Sequence, residues 1–428
     1  MNILVTGANG LIGSSICGLL LQEGHQVVAV VRPGGRAPFG ATKTVYLDVA
    51  SAVDVQAWVP VLDNVHAVVN CVGALQDSPR ENVAGIHVAG PAALFQACEQ
   101  LGVRRVVHFS AIGVDRQQPS PFSETKFRGD DVLMARDLDW VILRPSVVLG
   151  RPAFGASALI RGLAALPVVP VMPGGGALQV VQLEDVVDTV MKLLEPNAAR
   201  QVALELAGPQ RLTFEEVVGI YRRWLGRRPA LQLTVPSSIA ALLYSLGDLA
   251  GVLGWRPALR TTAKKEIARG ATGDLQPWAA TVGIRPRSLT ETLKSAPASI
   301  QERWFSNLFF LKPLIFVVLP LFWILTGIIS LTVGFDEGLA LMNQGDAGVL
   351  AVLSVVAGAM ADIVIGTMIA LRRTSRLGLW AAILVSIFYT IAGTILIPAL
   401  WHEPLGPLLK VGPILVLHLV ALAILEER

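Results

Sequence analysis

Apolar positions follow two different rules on either side of residue 304. Before it, short apolar runs alternate with charged and turn-forming stretches; after it, long runs carry almost no charge. In the first part, apolar runs at 2–6, 26–31, 43–47, 66–71, 104–109 and 139–143 predict strands. Helical periodicity at 11–23, 79–101 and 121–137 predicts helices between them. Strands alternating with helices imply an α/β fold built on a parallel, doubly wound sheet.

In the second part, four apolar stretches run over roughly 308–333, 347–371, 377–400 and 405–425. Each is near or above the ~20 residues that span a ~30 Å hydrocarbon core. The expected organisation is a Rossmann-type core on that sheet over 1–150, the remainder of that domain over 151–303, and an all-α four-helix transmembrane domain over 304–428. The middle region is interrupted by Pro and Gly. Its segment Ser237–Trp255 is unusually apolar but contains Asp248. It reads either as a core helix or as an interfacial segment lying on a bilayer.

Composition sharpens this picture. Only 16% of the 428 residues are charged, against roughly 25% in an average soluble chain, and the shortfall lies in the last quarter. A net charge of +3 is too weak a basic bias to argue for nucleic acid. Cys17, Cys71 and Cys98 are widely spaced in apolar stretches, with no CxxC or Cys/His metal spacing, so no metal is expected. They read as buried thiols in a reducing compartment. The opening MNILVTG runs straight into a strand without the pattern of a signal peptide. Arg303, Lys312, Arg372, Arg373 and Arg376 flank the spans on one side, whereas Asp336, Glu337 and Asp346 occupy the first connection. Positive-inside logic then expects a multi-pass protein of the cell's inner (cytoplasmic) membrane, its Rossmann domain in the cytoplasm and the lipid bilayer as a partner. Lys410, in the fourth stretch, is the dissenting charge.

The first strand ends in Thr6, and Gly7, Asn9, Gly10, Leu11, Ile12 and Gly13 form a turn that opens a helix. Glycines at 7, 10 and 13 suit a tight bend, close approach of backbone to a pyrophosphate and close helix–strand packing. The helix N-terminus then offers free N–H groups to phosphate. Arg32 closes the second strand, with Arg36 nearby, where an acidic residue would favour the ribose hydroxyls of NAD. A guanidinium suits a 2′-phosphate, so NADP is preferred over NAD. Asp48, followed by Val49, either meets the adenine edge or caps the next element.

The stretches TGANGLIG (6–13), VVNCVG (68–73), HFSAIGVD (108–115), the Lys126 helix and WVILRPSVVLG (140–150) resemble the atypical and extended short-chain dehydrogenase/reductases. VQLEDVVDTV (181–190) and GIRPRSLTETL (283–293) look like the C-terminal lobe of that superfamily, which implies an NAD(P)-binding Rossmann core over 1–150 and a small substrate lobe within 151–303. Within it, the sequence is most similar to the branch of the NADPH-binding accessory subunit of respiratory complex I. The resemblance implies that Cys71, Val72 and Gly73 border the adenine ribose and that Pro145 and Ser146 border the nicotinamide. It also implies that Ser110 and Lys126 serve cofactor and catalysis. Active members carry a Tyr four residues before the Lys as proton donor; here that position is Phe122. Ser123 is a poorer acid with no base evident beside it, and the sequence does not place His108, Asp115 or Glu124 in the site.

The four-span block is similar to the DoxX-like membrane domain, some relatives of which are linked to quinone-dependent oxidation. Asp362 and His418 lie inside expected spans, where polar groups are costly. They read either as a proton or quinone site or as interhelical hydrogen bonds. Two functions follow. One is an NADPH-dependent oxidoreductase acting on a quinone or other small hydrophobic, lipid-like substrate. The other is a sensor or respiratory-complex assembly protein that binds NADPH without turnover. A nucleotide-sugar epimerase uses the same fold but normally keeps the Tyr.

Overall fold

The structure, a computed structural model, describes residues 1–78, 81–404 and 406–425. It divides into two compact units. One comprises Met1–Val252 and Arg256–Asn307; the other comprises Leu253–Trp255 and the chain from Leu308 onward.

The first unit opens with β1 (Asn2–Thr6), α1 (Leu11–Gln22), β2 (Gln26–Val31), β3 (Lys43–Tyr46) and β4 (Ala67–Asn70). A π turn at Gly85–Ala89 leads into α2 (Gly90–Leu101), followed by β5 (Arg105–Phe109), α3 (Pro121–Met134) and β6 (Asp139–Pro145). These elements follow the expected alternation closely, with one difference: the helix expected from 79 starts later. Pro79 and Arg80 lie outside the described residues, and the helical turn begins at Gly85. The segment there is pressed against the turn after β3, since a Cβ on Gly90 would sit 1.9 Å from the Val49 carbonyl oxygen.

The chain continues through β7 (Val148–Leu149), α4 (Gly155–Ala165), β8 (Val168–Val171), β9 (Val181–Gln182), α5 (Leu183–Leu193) and β10 (Val202–Leu206). After these come α6 (Phe214–Trp224), β11 (Leu231–Thr234), α7 (Ser237–Val252), α8 (Thr261–Arg269), α9 (Gln276–Val282) and α10 (Leu289–Ser295), and α11 (Ile300–Leu308) leads out of the unit.

Seven strands form one parallel sheet in the order β10-β6-β5-β4-β1-β2-β3. The central strands are apolar in their interiors because both faces are covered, with the polar Thr6, Asn70 and His108 near their carboxyl ends. Ile3, Val5, Val27 and Ala29 join α1 and α5 in one core layer. Leu4, Val28 and Val68 meet Trp58, Leu94 and Phe95 in the other. Trp278 of α9 is fully buried in the first layer, and its indole N–H donates to Thr189 Oγ1 at 3.0 Å. The chain beyond 151 therefore supplies an edge strand, β10, and part of the sheet's own core.

The second unit holds α12 (Leu311–Leu331), α13 (Phe335–Gln344), α14 (Ala351–Ala370), α15 (Ser375–Leu396) and α16 (Val411–Ile424). Among the described residues, three helical segments are long and apolar enough to cross a membrane: Ile300–Leu331, Gly348–Ala370 and Ser375–Leu396. The fourth expected span, 405–425, is shorter as a helix. Leu405 lies outside the described residues, and Gly406 and Pro407 delay the start of α16 to Val411, leaving 14 residues. Helices α12 and α14 meet through small residues, as membrane helices commonly do. A Cβ on Gly327 would fall 2.4 Å from the Ala359 carbonyl oxygen.

The polar groups inside this unit have separate partners. Trp323 Nε1 donates to His418 Nε2 at 2.9 Å, and an indole nitrogen only donates. His418 therefore carries its proton on Nδ1, which faces the Ile414 carbonyl oxygen at 2.7 Å. Asp362 accepts from the Tyr389 hydroxyl at 3.2 Å. Of the two readings of these residues, the geometry matches interhelical hydrogen bonds.

Candidate cofactor site

Parallel register brings the carboxyl ends of β1, β2, β4, β5 and β6 to one edge of the sheet. Thr6 pairs with Val30 on one side and Asn70 on the other, and Asn70 continues to His108 and Ile142. The strand order reverses at β1 and β4, where open parallel sheets bind ligands. The turn after β1 exists because two residues lack a Cβ. Gly7 has φ +63°, and a Cβ there would lie 2.9 Å from the Cys71 carbonyl oxygen. A Cβ on Gly13 would lie 2.3 Å from the Gly7 carbonyl oxygen. Both contacts are backbone against backbone and cannot be relieved by a rotamer change. They leave the N-terminus of α1 facing a cradle bounded by Cys71, Val72 and Gly73.

Lys126 reaches the same edge from α3. Its ammonium donates to the Phe109 carbonyl oxygen at 2.7 Å and the Val72 carbonyl oxygen at 3.2 Å, and it packs close to Gly73. Burial pulls its pKa down to about 8, against the opposing pull of Asp130. Ser110 is buried just past the end of β5. Pro145 ends β6, and Ser146 Oγ donates to the Ala271 carbonyl oxygen at 2.9 Å. Arg32 is half-exposed at the end of β2, 3.5 Å from Glu81, which Arg256 also holds at 2.8 Å. Asp48 is used by its own turn, where it accepts from the Ala50 N–H at 3.2 Å, and the next helical turn is capped by Asp54 instead. Thr6, Gly7, Gly13, Cys71, Val72, Gly73, Ser110 and Lys126 thus gather at one edge.

Residues 7–164 match the NAD(P)H-binding family, and residues 320–419 match the DoxX-like family. The chain joins an NAD(P)H-binding domain to a DoxX-like domain. Its NAD(P)H-binding part has short-chain-dehydrogenase-type relatives. It is 28% identical to 3-diazoavenalumate denitrifying reductase of Streptomyces over 64% of this chain and 93% of that one. It is 21% identical to the photosystem II assembly factor Ycf39 of Synechocystis, over 69% and 89% of the two chains. With several uncharacterized mycobacterial proteins it shares 26% identity, but the match spans only 23% of their length. A solved structure of MoeE5 with UDP-glucuronic acid and NAD superposes with a TM-score of 0.53 at 23% identity. That alignment covers 69% of this chain and 97% of MoeE5, and it supports the fold.

Around this edge, the structure adds residues that sequence spacing did not single out. Phe122 packs edge-on against His87, with ring centroids 5.7 Å apart. His87 is buried between the Ala74 N–H and the Thr125 hydroxyl, and burial and the nearby Lys126 lower its pKa to about 2. Ser123 does have a base beside it: Glu266 Oε1 accepts from Ser123 Oγ at 2.8 Å and from Ser120 Oγ at 2.5 Å. Glu266 comes from α8, far along the chain, so no local pattern signals it.

A polar row also crosses the sheet beneath the edge. Thr6 donates to Asn70 at 2.5 Å, Asn70 donates to His108 Nδ1 at 2.9 Å, and His108 Nε2 lies 3.6 Å from Asp130. Asp130 accepts from Arg144 Nε at 3.0 Å, and Arg144 also reaches Asp115 at 2.6 Å. Burial raises Asp130 to about 6, opposed by Ser110 and Arg144, and burial keeps His108 neutral. Glu124 is exposed and takes no part. A cavity of about 750 Å³ opens elsewhere, beside α6, β8 and β11, and none of the expected site residues line it.

Replacing Gly13 with Ala forces the turn apart. The expected cost is about 1–3 kcal/mol, the range for overpacking. It should appear as a lowered melting temperature in detergent and as a smaller stabilisation by added NADPH than in the unmutated chain.

Proposed function

We propose that the chain is an NADPH-dependent oxidoreductase held at the cell's inner membrane, its NAD(P)H-binding unit in the cytoplasm, and that it reduces a quinone or lipid-like acceptor. The observation that carries this reading is Lys126, a buried cation set at the strand edge between Val72 and Phe109. The DoxX-like part supports it by keeping the chain in the bilayer where such acceptors dissolve.

The residues fit the cofactor. The cradle at Gly7 and Gly13 has room only for backbone, leaving the first turn of α1 open to a pyrophosphate. Arg32 and Arg256 share one carboxylate, so their combined charge favours an added 2′-phosphate. When bound, NADPH supplies a hydride. Lys126 and Ser110 hold the ribose and nicotinamide end, and Pro145 and Ser146 form its border. Phe122 has no proton to give. A quinone taking one hydride needs one proton, which water or the Ser123–Glu266 pair provides, so the missing phenol is not fatal to this reaction. A second reading has its own support: Phe122 is packed edge-on against the buried His87, and Ycf39 is an assembly factor. In that case the unit binds NADPH and signals or assembles without turnover.

Full-length protein mixed with NADPH and short-chain quinones separates the two readings. Quinone-dependent loss of nicotinamide absorbance is expected. Lys126→Ala should slow it about 10–100-fold, the worth of a charge-assisted hydrogen bond of ~1.5–3 kcal/mol. Binding without oxidation across quinones and carbonyls selects the non-enzymatic reading.

Lys126 also sets a pH dependence. Its free-state pKa of about 8 means that a ligand preferring the charged ammonium must take up a proton above that pH. Titrations should therefore show NADPH affinity falling as pH rises past about 8, with the slope removed in Lys126→Met. Arg32→Ala is expected to weaken NADPH about tenfold more than NADH, roughly 1.4 kcal/mol of preference; equal losses would remove Arg32 as the phosphate ligand.

A further inference from the structure

Helix α7 has two apolar faces, and the protein covers only one. Ala240, Tyr244, Gly247 and Gly251 are buried against the chain that leads into α8. The packing is tight, since a Cβ on Gly247 would lie 1.7 Å from the Leu259 carbonyl oxygen. On the other side Ile239, Leu242, Leu243, Leu246 and Leu249 are between 39% and 58% exposed. At ~100° per residue these five fall in one stripe about 120° wide. Ser238 and Ser245 mark its edge. Contiguous exposed apolar patches on a folded unit mark an interaction site.

The chain itself says what covers this stripe. Helix α7 ends at Val252, and the chain passes directly into Leu253–Trp255, which turns at Gly254 (φ +89°) and belongs to the membrane unit. There Trp255 donates its indole N–H to the Ala370 carbonyl oxygen at 2.8 Å, stacks near Phe316 and lies under the Arg372 guanidinium. Ala370 ends α14, and Arg372, Arg373 and Arg376 follow it, so this is the charged end of a membrane-spanning helix. The acid on α7 is neutralised away from the stripe: Asp248 pairs with Arg260 at 3.4 Å and accepts from Gln76 at 3.0 Å. The neighbouring α8 adds exposed Lys264 and Lys265, with Lys264 over the Tyr244 ring, a charge suited to lipid phosphates.

We propose that α7 lies in the plane of the bilayer interface, its Ile239–Leu249 stripe among the lipid chains ~5–10 Å below the headgroups. The occupant of this face is the lipid surface. One consequence rests on the proposed reaction, whereas the docking does not. Gln76 follows shortly after Gly73, so the Asp248–Gln76 bond ties the loop beyond the cofactor edge to a helix on the membrane surface. An apolar acceptor diffusing in the bilayer would reach that loop laterally.

Spin labels test the docking without reference to activity. Single cysteines replace Leu242, Leu246 or Leu249 in the full chain in phospholipid nanodiscs, with Glu23→Cys as a water-exposed reference. All four sites are exposed, and the unmutated chain gives the background from its native thiols. Labels at 242, 246 and 249 should relax more with oxygen and less with an aqueous nickel chelate than the label at 23. Equal access to the chelate at all four sites would overturn the proposal. So would dipolar broadening between copies at 246, which would assign the stripe to a second chain.

Discussion

The NAD(P)H-binding unit depends on the near contact of two pieces of backbone. At Gly7 the chain passes so close to Cys71 that neither side could carry another atom between them. Gly13 repeats the condition one turn into α1, against Gly7 itself. From this contact follow the direction of α1, the access of phosphate to its N–H groups and the adjacency of β1 and β4. The polar row from Thr6 through Asn70 to His108 holds the same two strand ends at the level of side chains. A buried polar chain of this sort adds little net stability per bond, but leaving one member unpaired costs ~1–3 kcal/mol. It therefore specifies the register more than it strengthens the sheet.

Much of this was legible in the residues alone. Strands buried on both faces are mostly apolar runs, and Gly7, Gly10 and Gly13 stand between the first of them and a helix. Lys126 was visible as a matched position, but its burial was not. The rest was hidden for a physical reason: it is made by contacts between distant segments. Glu266 meets Ser123 only because α8 folds back over α3, and Glu81 gathers Arg32 and Arg256 from opposite ends of the unit. Hydropathy shows where α7 is apolar but not which of its faces the protein covers. The same limit applied to the fourth span, where apolar character continues through Gly406 and Pro407 but helix geometry does not.

Two buried polar side chains of the membrane unit, His418 and Asp362, are each paired across helices. His418 uses one nitrogen as acceptor for Trp323 and the other toward its own helix, so it has no ring nitrogen left over. Asp362 and Tyr389 join α14 to α15. These pairs fix which helix faces meet, a task that apolar packing does poorly in lipid, where every face is equally oily.

The excursion at Leu253–Trp255 changes what a domain boundary means here. The chain leaves the NAD(P)H-binding unit after Val252, visits the membrane unit for three residues, returns at Arg256 and leaves for good near Leu308. No single cut separates the two parts. A fragment ending near residue 307 would keep Trp255 but lose the Ala370 carbonyl and Phe316 that receive it. The chain order of the two units is therefore interleaved, and Leu253–Trp255 are part of the membrane unit's own packing.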